Sequence, residues 1–383
     1  MHAEQPKHLV KPGKWRRIKP PGSTQSTSNT ATGCCLTRAE KFSACLANGA
    51  AAARFDSSPQ EDAHAVELEL DPATGTALFG VFDGHGGRQV ADLCAVHVVD
   101  AVRSSPAYQR DDVGEGLREA FFELDNRALA CAEAHLAGAT ATVALVRGDR
   151  LWVAGVGDSR CVLSHAGTAQ VLTNDHKPDD PKERARIQNA GGFVVWGRVN
   201  ANLNISRALG DASFKQDKSL SASEQQVSPD PDVRSVTLTR HDTFMVLACD
   251  GLWNALPEQQ VVAYVQRRLN LRHTLGAVAE GLVAEAMQPQ RCAHDNVTVV
   301  VVQFNDAVKA SMMTVASGGA VAATATGTAD SPTASPTATA TAIATVVAAV
   351  PPAIAVSAGS SSGGAEDMVA AAAAPAAPME PAA

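Results

Sequence analysis

Residues 141–164 read ATVALVRGDRLWVAGVGDSRCVLS, three β-branched or apolar runs (Ala141–Val146, Leu151–Val156, Cys161–Ser164) separated by Arg147-Gly148-Asp149-Arg150 and Gly157-Asp158-Ser159-Arg160. Such short links turn a chain back on itself but cannot house the crossover helix that a parallel pair needs. Both are expected to join antiparallel neighbours. Working outward, similar runs at His64–Leu70, Ala77–Phe82, Phe244–Cys249 and Val297–Phe304 are followed by Asp71, Asp83, Asp250 and Asn305, residue types that close strands. Helical spacing predicts helices over Arg88–Val102, Val113–Glu133, Pro181–Asn189, Pro257–Arg268 and Thr274–Met287. The second of these places Leu117, Phe121, Leu124 and Ala128 on one face. Grouped strands with grouped helices imply an α+β fold: a central β-sandwich of two antiparallel sheets flanked by α-helices on both sides.

The chain divides by composition. Residues 1–40 are Ser/Thr/Pro/Gly-rich with a basic cluster (Lys7, Lys11, Lys14, Arg16, Arg17, Lys19), and residues 306–383 are Ala/Thr/Pro/Ser-rich with no Leu, Phe, Tyr or Trp. Neither buries enough apolar surface to offset the entropy of ordering, so both are expected to be disordered. Residues 41–305 are left as one catalytic-sized domain. The net charge of -8 and 4% aromatic content argue against a nucleic-acid partner, which calls for a basic, stacking surface. No apolar run approaches the roughly 20 residues of a membrane span, and the eight cysteines contain no CxxC pair. A monomer in the cytoplasm and/or nucleus is expected.

Chemistry concentrates where apolar strands stop at acids. Phe79-Gly80-Val81-Phe82-Asp83-Gly84-His85-Gly86-Gly87 ends a strand at Asp83, where glycine lets the backbone approach an ion and His85 projects into the same mouth. A plain tight turn has the same signature. Glu61-Asp62 open a strand, Asp250 follows the run Leu247–Cys249, and Asp295 precedes the last strand. These acids can converge on one edge of a sandwich. An all-oxygen set favours Mg²⁺ or Mn²⁺ over zinc, and two such ions about 3.5–4 Å apart can hold a water and phosphoryl oxygens for in-line attack.

With Gly157-Asp158-Ser159-Arg160, Leu172-Thr173-Asn174-Asp175-His176-Lys177-Pro178 and Ser206-Arg207-Ala208-Leu209-Gly210-Asp211 added, the motifs run in the order of a known family. The chain resembles the metal-dependent type 2C protein serine/threonine phosphatases over roughly residues 45–304. The resemblance implies that Asp83 bridges two Mn²⁺ or Mg²⁺ ions, with Asp250 and Asp295 on one and Glu61 and the Gly84 carbonyl on the other. Asp62 stands behind the ligands. It further implies that His85 is the general acid for a seryl or threonyl leaving oxygen, and that phosphorylated proteins are the substrates. Asp158 matches a weaker third metal site, and Asn254 stands where many members add an Asp to it. The Arg usually found four residues before the acidic pair is Ser57 here, which leaves Arg54 as the phosphate-binding candidate. A non-catalytic phosphoprotein-binding relative and a small-molecule phosphoester hydrolase are the alternative readings. Ser206, Arg207 and Asp211 are read as support for the rim, Lys215–Gln226 as a mobile flap, Trp152, Trp196 and Trp253 as packing residues, and His64 and His176 as structural.

Overall fold

A computed structural model describes residues 60–132, 135–291, 295–304 and 343–348. Arg54, Ser57, the basic leader and most of the C-terminal tail lie outside the described residues. The chain forms β1 (Ala63–Asp71), β2 (Thr76–Phe82) and the two-residue β3 (Gly84–His85), then α1 (Gln89–Ser104), α2 (Pro106–Gln109) and α3 (Val113–Ala130). Next come β4 (Gly138–Ala139), β5 (Ala141–Arg147), β6 (Arg150–Val156), β7 (Arg160–His165), β8 (Thr168–Val171) and α4 (Pro181–Asn189). Three short strands follow, β9 (Val194–Val195), β10 (Arg198–Val199) and β11 (Leu209–Gly210), before β12 (Asp232–Thr237) and β13 (Asp242–Ala248). Finally α5 (Asp250–Trp253), α6 (Glu258–Asn270) and α7 (Leu275–Ala286) lead to β14 (Thr298–Gln303), and β15 (Ile343–Ala348) lies further along the chain.

One five-stranded sheet has the order β1-β2-β5-β6-β12 and the other β15-β14-β13-β7-β8, and every pairing within them is antiparallel. The central strands read as continuous apolar runs because both of their faces are covered. In β2, Leu78 and Phe82 pack under α1 and α3 with Leu117, Phe121 and Leu124, whereas Phe79 and Val81 point inward. Those inward residues share a layer with Met245, Leu247, Val300 and Val302 of the second sheet. On that sheet's far side Phe244, Val246, Val299 and Val301 meet Val261, Val265, Leu282 and Val283 of α6 and α7. Truncating the fully buried Phe79 to Ala would cost about 3–5 kcal/mol, because the two packed sheets collapse only partly into the void. The antiparallel sheets with outer helices fit the expected α+β architecture.

Three local expectations are corrected. Arg147–Arg150 does make a β5–β6 hairpin, but Gly157–Arg160 carries the chain from β6 in one sheet to β7 in the other. A hairpin and a sheet change share the same short, Gly-containing signature, and here Gly157 sits at φ +90°, where a Cβ would lie 2.6 Å from Thr140 Cγ2. Within the tail expected to be disordered throughout, Ile343–Ala348 pairs along β14 from Gln303 to Thr298. Trp196 is 88% exposed on the β9–β10 hairpin, whereas Trp253 is buried and donates Nε1 to Ala248 O at 2.8 Å. Among the described residues no helix is long and apolar enough to cross a membrane.

Candidate active site

The site forms where β2, β13 and the approach to β14 run out at one edge. β1 begins there too. Glu61 donates its backbone N–H to Asn296 Oδ1 at 2.7 Å, and Thr298 donates Oγ1 to Asp62 Oδ2 at 2.6 Å. The acidic pair is thereby tied to the last strand. Gly84 fits against this corner only because it lacks a side chain, since a Cβ there would lie 2.3 Å from Glu61 O. The Asp83 carbonyl accepts from Thr140 N at 2.9 Å, which fixes the turn after β2.

The acids meet. Asp83, half-buried, has its carboxyl pKa pushed well above the ordinary carboxylate range by loss of water contact and by the charges of Asp62, Asp250, Asp158 and Asp295. Burial also raises Asp62 to about 6, with the Thr298 hydroxyl and Cys249 opposing and Asp295 adding to the rise. Asp250 is pushed up to about 7 by burial and then by Asp158 and Asp295. Carboxylates so arranged cannot all be ionised without a cation among them. Potential donor atoms of Asp62, Asp83 and Cys249 lie within 4.8 Å of one another, and Asp62 Oδ1 is buried without a hydrogen-bond partner. These features fit a divalent ion, and the oxygen-rich set suits a hard one. The Cys249 thiol is held protonated by burial and by the charges of Asp62 and Asp83; it donates to Asn296 O at 3.3 Å and accepts from Thr298 N at 3.1 Å. It is therefore no nucleophile.

His85 stands beside the acids with its Nε2 2.8 Å from Asp211 Oδ2. Burial lowers its pKa, but the Asp211 hydrogen bond and charge, with Asp158 and Glu61, more than offset this, so the ring titrates above its usual value. At the rim, Lys177 Nζ donates to Asp158 Oδ2 and Asn254 Nδ2 to Asp250 Oδ2. His176 is structural, its Nδ1 accepting from Gly157 N at 3.2 Å. Ser206 and Arg207 share Glu183, buried on α4, as a partner, a residue with no signal in the sequence because its helix is otherwise polar. Glu183 accepts from Ser206 Oγ at 2.7 Å and from Arg207 Nη2 at 2.7 Å. Lys215, placed in a flap by its polar sequence, is instead buried against Asp125.

The protein phosphatase 2C profile matches residues 49–297. A rice (Oryza sativa subsp. japonica) chain with the name "Probable protein phosphatase 2C 58" is 37% identical over 295 residues, covering 64% of this chain and 80% of its own length. "Protein phosphatase 2C homolog 2" of Schizosaccharomyces pombe is 39% identical over 255 residues, covering 64% of this chain and 69% of its own. Among solved structures, a serine-threonine phosphatase 2C from Toxoplasma gondii is similar with a TM-score of 0.60 and 25% identity, covering 66% of this chain and 93% of that one. The chain belongs to the protein phosphatase 2C family, the metal-dependent protein serine/threonine phosphatases.

Proposed function

We propose that the protein hydrolyses phosphoserine and phosphothreonine in protein substrates, with Asp83, Asp250, Asp295, Glu61 and the Gly84 carbonyl holding two Mn²⁺ or Mg²⁺ ions. The observation that carries this reading is the convergence of acids on one edge, where the charges of Asp62, Asp250, Asp158 and Asp295 all raise the pKa of Asp83, with His85 at its side. Bound there, the ions would activate a water and neutralise phosphoryl charge. Asp62 orients the ligand corner through Thr298. His85 gives its proton to the departing seryl or threonyl oxygen, which leaves poorly as an alkoxide. Arg54 is the candidate for gripping the phosphate. The enzyme acts as a monomer in the cytoplasm and/or nucleus.

The test is release of phosphate from phosphothreonine peptides by purified full-length protein, which chelator should abolish and Mn²⁺ or Mg²⁺ restore. His85→Ala should slow the peptide by about 10²–10⁴-fold and a nitrophenyl phosphate much less, because its phenolate leaves without a proton. Full activity in chelator would sink the metal reading, and equal losses on both substrates would sink the proton donor.

A further inference from the structure

β3, β4 and β11 form a small three-stranded sheet of their own, in the order β11-β4-β3. His85 pairs with Gly138, and Gly138 pairs with Gly210, the residue before Asp211. The imidazole and the Asp211 carboxylate therefore reach for each other across Gly138. A Cβ at that position would lie 2.2 Å from Asp211 Oδ2 and 2.4 Å from His85 Nε2. Only a residue without a side chain leaves the gap through which the two meet at 2.8 Å.

Asp211 is held in place more firmly than a rim loop requires. Its backbone is left-handed (φ +54°, ψ +46°), a conformation that Asp tolerates better than most residues but that still needs support. The support is local and buried. Asp211 N donates to Ala137 O at 2.9 Å, and Phe214 N donates to Asp211 O at 2.9 Å. Asp125 Oδ1 accepts from Gly210 N at 2.8 Å and from Lys215 Nζ at 2.5 Å, and Lys215 also donates to Ala208 O at 2.9 Å. Both members of this ion pair are 2% exposed. Such a pair adds little net stability but restricts the strap around it to one geometry.

We infer that Asp211 is a positioning residue for His85: by accepting the Nε2 proton across the Gly138 gap it fixes the ring and leaves Nδ1 as the nitrogen that serves the substrate. The inference rests on the reading of His85 as proton donor. As the P–O bond to the serine or threonine oxygen breaks, that oxygen keeps the bonding electrons and takes the Nδ1 proton, while the attacking water's oxygen forms the new P–O bond. The ring stays tethered through Nε2–H and regains its Nδ1 proton from solvent.

The experiment uses the full chain with Mn²⁺ and two substrates, a phosphothreonine peptide and 4-nitrophenyl phosphate. Asp211→Ala should lower kcat on the peptide by about 10–100-fold, the cost of a misplaced group. KM, the nitrophenyl rate and calorimetric Mn²⁺ affinity should stay within about threefold on the same argument. Gly138→Ala, which keeps both partners but fills the gap, should reproduce that split, so the result does not depend on one variant folding. Asp211→Asn, which tolerates the left-handed backbone and retains an acceptor oxygen, should recover most of the peptide rate. The double variant His85→Ala/Asp211→Ala should be no slower on the peptide than His85→Ala alone, since the two act as a unit. Additive losses in the double variant, or losses on both substrates alike in Asp211→Ala and Gly138→Ala while His85→Ala separates them, would overturn the inference but spare the proton-donor reading. Failure of His85→Ala to separate the substrates would remove both.

Discussion

Asn254, the residue that caps the C-terminal end of α5, donates its amide to Asp250 Oδ2 at the helix's start at 3.1 Å. Across the rim Lys177 engages Asp158. Where a third ion would bind, the carboxylates of Asp250 and Asp158 are thus met by an amide and an ammonium instead of a further carboxylate. Asn254→Asp adds a negative charge beside Asp250 and should tighten a weak extra Mn²⁺ site on the order of tenfold, because affinity follows the charge of the ligand set. Isothermal titration of wild type and variant reads this directly. Identical isotherms would show that position 254 has no part in ion binding.

Asp83 carries the heaviest electrostatic load, and its replacement should reveal that load. Its carboxyl pKa and those of Asp62 and Asp250 are raised, so the metal-free folded state holds protons that the unfolded chain releases. With chelator present, stability should therefore rise as pH falls from about 7 towards 5. Added Mn²⁺ should raise Tm at pH 7 in the wild type by mass action. Asp83→Asn should fold, lose peptide phosphatase activity by orders of magnitude and show little Mn²⁺-induced rise in Tm. A wild-type-sized rise in the variant would count against Asp83 as a ligand.

Glu183 sets the opposite slope. Burial works against its charged form, but Arg207, Arg186 and Ser206 outweigh burial and hold its pKa down to about 2. The folded value lies below the unfolded one, so this contribution is complete above about pH 4.5 and is lost as the pH falls towards 2. Urea melts from pH 7 down through that window should show Glu183→Gln less stable at pH 7 by about 2–3 kcal/mol and less sensitive to acid. Parallel curves for the two proteins would remove Glu183 from the account.

Deleting residues from 305 onward strips the strand that pairs along β14. The freed edge loses six residues of pairing and exposes backbone groups that invite another chain. Tm should fall by several degrees and light scattering should report self-association, while deletion of 349–383 alone should do neither. Unchanged melting and a monodisperse sample after the longer deletion would show that β15 adds nothing to the sheet.

Much of this architecture is legible in the sequence because burial on both faces leaves a plain mark. The runs at Ala77–Phe82 and Phe244–Cys249 carry no polar side chain and Ala141–Val146 carries only Thr142, and Pro181–Asn189 is predicted and found with the same bounds. The acids are legible because Asp83 and Asp250 each follow such a run. What escapes is set by neighbours distant in sequence. Gly138 carries no local signal, and its importance appears only when His85 and Asp211 are brought to either side of it. Glu183 looks like any acid on a polar helix until Arg207 is folded onto it. Gly157–Arg160 reads as a hairpin because nothing within four residues distinguishes a reversal from a change of sheet. Ile343–Ala348 sits in a composition that forms little structure alone and gains an order only from the β14 edge.

The tie between Glu61 N and Asn296 Oδ1 spans 235 residues of chain, and this separation governs when the enzyme can come into being. A ribosome adding about 5–20 residues per second delivers Asn296 and Thr298 roughly 10–50 s after Glu61 and Asp62. Throughout that interval the first acids of the pocket have neither their backbone anchor nor their hydroxyl partner. Prematurely terminated chains, even those carrying Asp83, His85 and Asp250, lack Asp295 and the two ties to the last strand, so on the proposed ligand set an incomplete copy should hold no ion pair and release no phosphate.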